Sequence, residues 1–164
     1  MTTTARAYAR TIAALERRRA TALEHVNLGK LHRSANELHR ELKTDARMIA
    51  ANLAALDSLD RCRARFTEQE YAIAAGIGAQ CALNAIRSST RREVKAMTLT
   101  ELAALLEDPA RTPMEDEIAV DNLHDRFEEK IGDAAYGEHL NAWIDNGIPD
   151  SVSRAQMLAE LTAA

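Results

Sequence analysis

Apolar positions in the first 26 residues recur at Tyr8, Ile12, Leu15, Ala22 or Leu23, and Val26, spacings of three and four that mark one helical face. From Leu28 the rhythm resumes at Leu28, Leu31, Ala35, Leu38, Leu42, Ala46, Ile49, Leu53 and Leu56. This is a heptad-like, coiled-coil-like seam with one extra-residue slip near Leu42. On a common helical wheel the first face centres at about 85° and the second at about 240°. One straight helix would bury opposite sides before and after Asn27. The pattern therefore predicts a reversal at Asn27-Leu28-Gly29-Lys30, with Gly29 in the left-handed cap conformation. Two long helices, roughly 3–26 and 30–59, then fold back as an antiparallel pair. A variant starts the second helix at Ser34, because Ser34-Ala-Asn-Glu37 fits a capping box.

Phe66-Thr67-Glu68-Gln69-Glu70 reads as another helix start, with Thr67 as cap and Glu70 reaching back. The stretch Tyr71–Ile86 that follows carries no charge, which predicts a buried central helix near 67–87. Small residues at Ala74, Gly78 and Ala82 let a neighbouring helix approach closely. Arg87–Lys95 is a basic connector or an extension of that helix. Thr98 or Thr100 can cap a short helix through Leu106, stopped by Pro109. Pro113 suits the first turn of the next helix, with Ile118, Leu123, Phe127 and Ile131 on its apolar side and Gly132 at its end. Asp133 can cap a helix through Asn146 that buries Tyr136, Leu140, Trp143 and Ile144, closed by Gly147. Ser151 or Ser153 begins a last helix carrying Met157, Leu158 and Leu161.

The expected fold is all-α: a long antiparallel helical hairpin packed with a buried central helix and several short C-terminal helices. Composition agrees, since 164 residues contain 46% hydrophobic but only 4% aromatic residues, with three Pro and six Gly. No window of about 20 residues is both apolar and uncharged, which argues against a membrane span. The first 19 residues alternate small residues with Arg and contain no apolar core of a secretory signal. Cys62 and Cys81 are the only cysteines, too few for a disulfide framework. Cytoplasmic residence is the expectation.

Charge is unevenly spread. Residues 1–97 hold 17 Lys and Arg against 10 Asp and Glu, a net of +7, whereas residues 98–164 hold 4 against 15, a net of -11. The change near Thr98 marks a boundary between a basic hairpin with its core helix (1–97) and an acidic short-helix subdomain (98–164), packed together as one domain. Such asymmetry points to partners as well as to internal neutralisation.

Catalytic and metal-binding patterns are sparse. His25, His32 and His39 sit seven apart, but two turns of helix place successive ligands about 10 Å apart, too far for one ion. They are read as polar edges of the seam. Asp121-x-x-His124 with Glu128 is a single cluster without the second half that a helical di-metal site needs. Gly-x-Ser-x-Gly, His-Glu-x-x-His and P-loop patterns are all missing. No cofactor, metal or catalytic residue is assigned, and the chain is not expected to be an enzyme.

The stretch Tyr71 to Ile86, with Gly76 four residues after Ala72 and apolar Ile77 next, resembles the helix-turn-helix signature. That resemblance implies a recognition helix from Ala79 to Arg87. Gln80 and Asn84 would face base edges, and Arg87, Arg91, Arg92 and Lys95 would face phosphates. It departs from the pattern at Ala82 and Ala85, where larger branched residues normally anchor the second helix. One uninterrupted core helix is the preferred alternative.

The leading functional expectation is a non-catalytic protein-interaction or regulatory module that self-associates or docks a protein partner. Leu31, Leu38, Leu42 and Ile49 are its anchors if the seam is not used internally. A small DNA-binding regulator using residues 71–95 is one alternative. The other makes the acidic region, with Glu115, Asp116 and Glu117, a nucleic-acid mimic that inhibits a nucleic-acid-binding protein.

Overall fold

Helix-favouring composition is realised throughout the residues described in the computed structural model, 3–38 and 44–163, which contain no strand. The elements are α1 (Thr4–Ala7), α2 (Ala9–Leu23), α3 (Leu28–Leu38), α4 (Asp45–Arg61), α5 (Glu68–Lys95), α6 (Leu99–Glu107), α7 (Pro113–Ile131), α8 (Asp133–Asp145) and α9 (Asp150–Thr162), with a 3-10 turn at Arg63–Arg65. They form two compact units, Met1–Thr90 and Arg91–Ala164. The division falls within α5, seven residues before the charge change at Thr98. No described helix is long and apolar enough to cross a membrane.

In the first unit the chain reverses after α2, but not by the predicted device. Helix α2 stops at Leu23, residues 24–26 form a turn, and the Asn27 Oδ1 accepts a hydrogen bond from the Lys30 amide at 2.8 Å. Asn27 is thus the N-cap of α3, and Gly29 lies inside the first turn of that helix without a positive φ. Asparagine is a strong N-cap, so the reversal needs no left-handed glycine. Ser34 lies in mid-helix, so the capping box proposed there does not form. The predicted second helix over 30–59 is not continuous: Thr44 is extended and caps α4, so α3 and α4 are separate helices and the expected long hairpin arm is divided, while the register slip at Leu42 lies outside the described residues.

Helix α5 organises this unit. Its start is the predicted capping box: the Glu70 carboxylate accepts from the Thr67 amide at 2.9 Å, and the Glu70 amide donates to the Thr67 hydroxyl at 3.2 Å. Three neighbours pack on it at marked points. A Cβ added to Gly76 would lie 2.1 Å from the Ala22 Cβ of α2, while the Thr4 and Ser89 hydroxyls meet at 3.1 Å, so α1 and α2 run antiparallel to α5. Leu56 of α4 packs on Gly78, and Asp60 reaches Tyr71, which makes α4 antiparallel to α5 as well. Between them, the Ala35 carbonyl of α3 accepts from the Cys81 thiol at 3.4 Å. The path is therefore up, down, up and down. Burial pushes the Cys81 thiol up to about 11, so it is a packing group rather than a nucleophile.

A polar clip holds the end where α4 passes into α5. Arg18 of α2 grips Asp60 of α4 through two hydrogen bonds of 2.9 and 2.7 Å, and the Tyr71 hydroxyl of α5 donates to the same carboxylate at 2.6 Å. The Arg63 guanidinium lies 4.6 Å from the Tyr71 ring centre. The Arg18 hydrogen bonds, aided by Tyr71, hold Asp60 down at about 2.

The second unit is built around α7, which packs against α6, α8 and α9. Capping boxes start α6 at Thr98 with Glu101 and α7 at Thr112 with Glu115, and Pro113 opens α7 as predicted. Gly132 and Gly147 end α7 and α8 with φ of +87° and +60°, values that favour glycine. Asp133 is the first residue of α8 rather than its cap, and α9 begins at Asp150 after Pro149 rather than at a serine. Phe127, fully buried, stacks on Trp143 with ring centres 6.0 Å apart. The Trp143 indole N–H donates to the Gln156 side-chain oxygen at 2.9 Å and ties α8 to α9.

Three glycine substitutions separate these roles in urea titrations. Gly76→Ala is expected to lose about 1–3 kcal/mol, because the Ala22 Cβ sits on a helix backbone that must move. Gly78→Ala costs less, since its new contact is the flexible end of Leu56 at 3.1 Å. Gly29→Ala gains up to about 0.5 kcal/mol, less than in a helix interior because Gly29 lies in the first turn; a loss there would restore the glycine cap.

Asp60→Asn is expected to destabilise by about 0.5–1 kcal/mol at pH 7, the clip being discounted for its exposure to solvent. A carboxylate held low stabilises the fold above its unfolded value near 4, and that stability is lost as pH falls through about 2. The difference between variant and parent should therefore shrink from pH 4 downward in acid-unfolding curves.

Candidate functional site

The residues picked from sequence as partner anchors are mostly consumed by the fold. Leu31 and Ile49 are buried, at 1% and 2% exposure, so they do not form the open seam that docking needs. Leu42 and the Leu38 side chain lie outside the described residues. Glu115 has no exposure, because its carboxylate turns back to the Thr112 amide at 2.7 Å. Asp116 is held by Arg111 at 2.6 Å and Arg154 at 3.4 Å. Only Glu117 of that acidic trio is exposed. Glu115 and Asp116 are thus taken up at the start of α7.

Helix α5 runs unbroken through Gly76, so the turn of a helix-turn-helix is absent. The reason is packing: Gly76 lets Ala22 approach and has no bend to make. Gln80 is 4% exposed and donates to Asn84 at 2.8 Å, which removes both from any base edge. Arg87 is half-buried, whereas Arg91, Arg92 and Lys95 are exposed. His25 is exposed and His32 half-buried, and His39 lies outside the described residues. Among the described residues no group of three or more His, Cys, Asp or Glu side chains could hold a metal ion, so Asp121, His124 and Glu128 do not assemble as ligands.

The structure instead brings together residues that are scattered in sequence. In the second unit a groove of about 670 Å³ is walled by Arg91 and Lys95 of α5, by Ile118, Asp121, Asn122 and Asp125 along one face of α7, and by Tyr136 of α8. Positions 118, 121, 122 and 125 share that face because they recur at helical spacing. His124 stands at its edge, its Nδ1 2.8 Å from the Tyr136 hydroxyl. Burial holds the His124 imidazole below its ordinary value, and the nearby Arg154 charge adds to this against Asp121 and Asp125. The ring is therefore neutral at pH 7. The Asn122 Oδ1 is buried without a hydrogen-bond partner.

On the other side of His124 lies a smaller hollow of about 190 Å³, lined by Val120, Leu140, Trp143, Ile144 and Ile148 together with Asp150, Ser153 and Arg154. Ile144 was expected in the core but is 74% exposed, and Val152 at the start of α9 is 43% exposed. Adjacent helical residues point about 100° apart, so Trp143 and Ile144 cannot both face Phe127. The fold buries Trp143. That spacing was readable in the sequence, whereas the meeting of His124 with Tyr136, twelve residues away on another helix, left no signal there.

Comparison with known proteins found no matching family model, no matching curated protein and no matching solved structure.

His124 is expected to titrate below pH 6.5 in NMR spectra, identified by loss of its signal in His124→Asn. A histidine buried neutral stabilises the fold above its unfolded value near 6.5, and that stability is lost as pH falls through the lower folded value. Urea midpoints measured between pH 8 and 5 should fall for the parent chain and flatten in the variant.

Proposed function

We propose that this chain is a non-catalytic helical interaction module whose docking surface is the α8–α9 edge rather than the heptad-like seam. The observation that carries this reading is Ile144: a large aliphatic side chain, 74% exposed, at the edge of a partly apolar hollow and close in sequence to the exposed Val152. Single exposed apolar residues are ordinary, but one that edges a hollow is how a helix-face contact begins, and Val152 adds exposed aliphatic surface on the next helix. Full burial of one such side chain in an interface contributes about 2 kcal/mol. Charge supports the same reading. Residues 91–164 carry 7 Lys and Arg against 16 Asp and Glu, a net of -9, which favours encounter with a basic surface. The partner is a second copy or another protein.

A photo-crosslinking residue placed at position 144 of the full chain in its native cells tests this. The expected result is a discrete adduct, lost on Val152→Asp and not formed from the exposed position 129. No adduct at 144, or the same products from both positions, would overturn the reading.

A further inference from the structure

The groove between the last turn of α5 and α7 is lined by four exposed charges that enter no ion pair among the described residues. Arg91 and Lys95 are one helical turn apart on one wall, and Asp121 and Asp125 are one turn apart on the other. Like charges at that spacing repel, and each pair weakens its own helix. Cations in the last turn of α5 complement its dipole, but no such benefit accounts for the two carboxylates in the middle of α7. Among the described residues no ion pair joins the two walls. Nearby, Arg111, Arg154 and Asp116 show that this unit pairs opposite charges where they serve the fold.

Asn122 lines the same groove beside the two aspartates. Tyr136 and the neutral His124 close one end with a hydrogen-bonded pair rather than a further charge. At about 670 Å³ the groove is in the size range of small-molecule sites.

We propose that this groove binds a small zwitterion, a free amino acid or short peptide with both termini unblocked, its carboxylate toward Arg91 and Lys95 and its ammonium toward Asp121 and Asp125. This site is separate from the docking edge at Ile144 and stands whether or not that edge finds a partner.

Isothermal titration of the full chain with L-alanyl-L-alanine tests the assignment, alongside the N-acetylated dipeptide, which lacks the ammonium, and the dipeptide amide, which lacks the carboxylate. The free dipeptide should bind at least tenfold tighter than either blocked form. Arg91→Gln with Lys95→Gln should erase discrimination against the amide while keeping that against the acetylated form. Asp121→Asn with Asp125→Asn should do the converse. Helical circular dichroism confirms that both double variants fold. Absence of heat with 10 mM dipeptide, or equal binding of either blocked form to the parent chain, would overturn the proposal.

Discussion

The first unit depends on the missing side chain at Gly76. Ala22 of α2 occupies the place where a Cβ would stand, and this close approach brings Arg18, one turn earlier, within reach of Asp60 and Tyr71. The apolar contact and the polar clip are therefore one arrangement. The uncharged stretch of α5 is not buried for its own hydrophobicity alone, since much of it is alanine. It is buried because small residues allow three helices to close on one axis.

The second unit solves the same problem with a large residue at its centre. Phe127 fills the space among the neighbours of α7, and Trp143 and His139 gather on it at ring distances of 6.0 and 5.6 Å. Its short helices are secured at their ends. Arg126 donates to the Met97 carbonyl at 2.7 Å, and Lys130 donates to the Glu160 and Ala163 carbonyls near the end of α9. These cations meet helix C-terminal carbonyls that would otherwise lack partners. Much of the charge in this unit is accordingly structural, including Glu115, Asp116, Arg126 and Arg154. The charges left over in the α5–α7 groove, and the exposed aliphatic pair on α8 and α9, are the features that the fold does not explain.

What the chain's own pattern determined was helix identity and most of the helix ends. Thr67 with Glu70, Thr98 with Glu101, Pro113, Gly132 and Gly147 act through neighbours within four residues, so their roles are legible without a partner helix. The change of apolar face around Asn27 likewise required a reversal, though the choice of asparagine over glycine as its agent rests on backbone angles that periodicity does not encode. Tertiary packing decided which apolar residues are spare. Leu31 and Ile49 lie on a face that the pattern left open to internal or external use and that is covered, while Ile144 lies on a face that looked covered and is free, because a wheel shows direction but not what stands opposite. It also decided the site. His124 and Tyr136, or Arg91 and Asp125, meet only when separate helices are brought side by side, and contacts between distant segments leave no periodic trace along the chain.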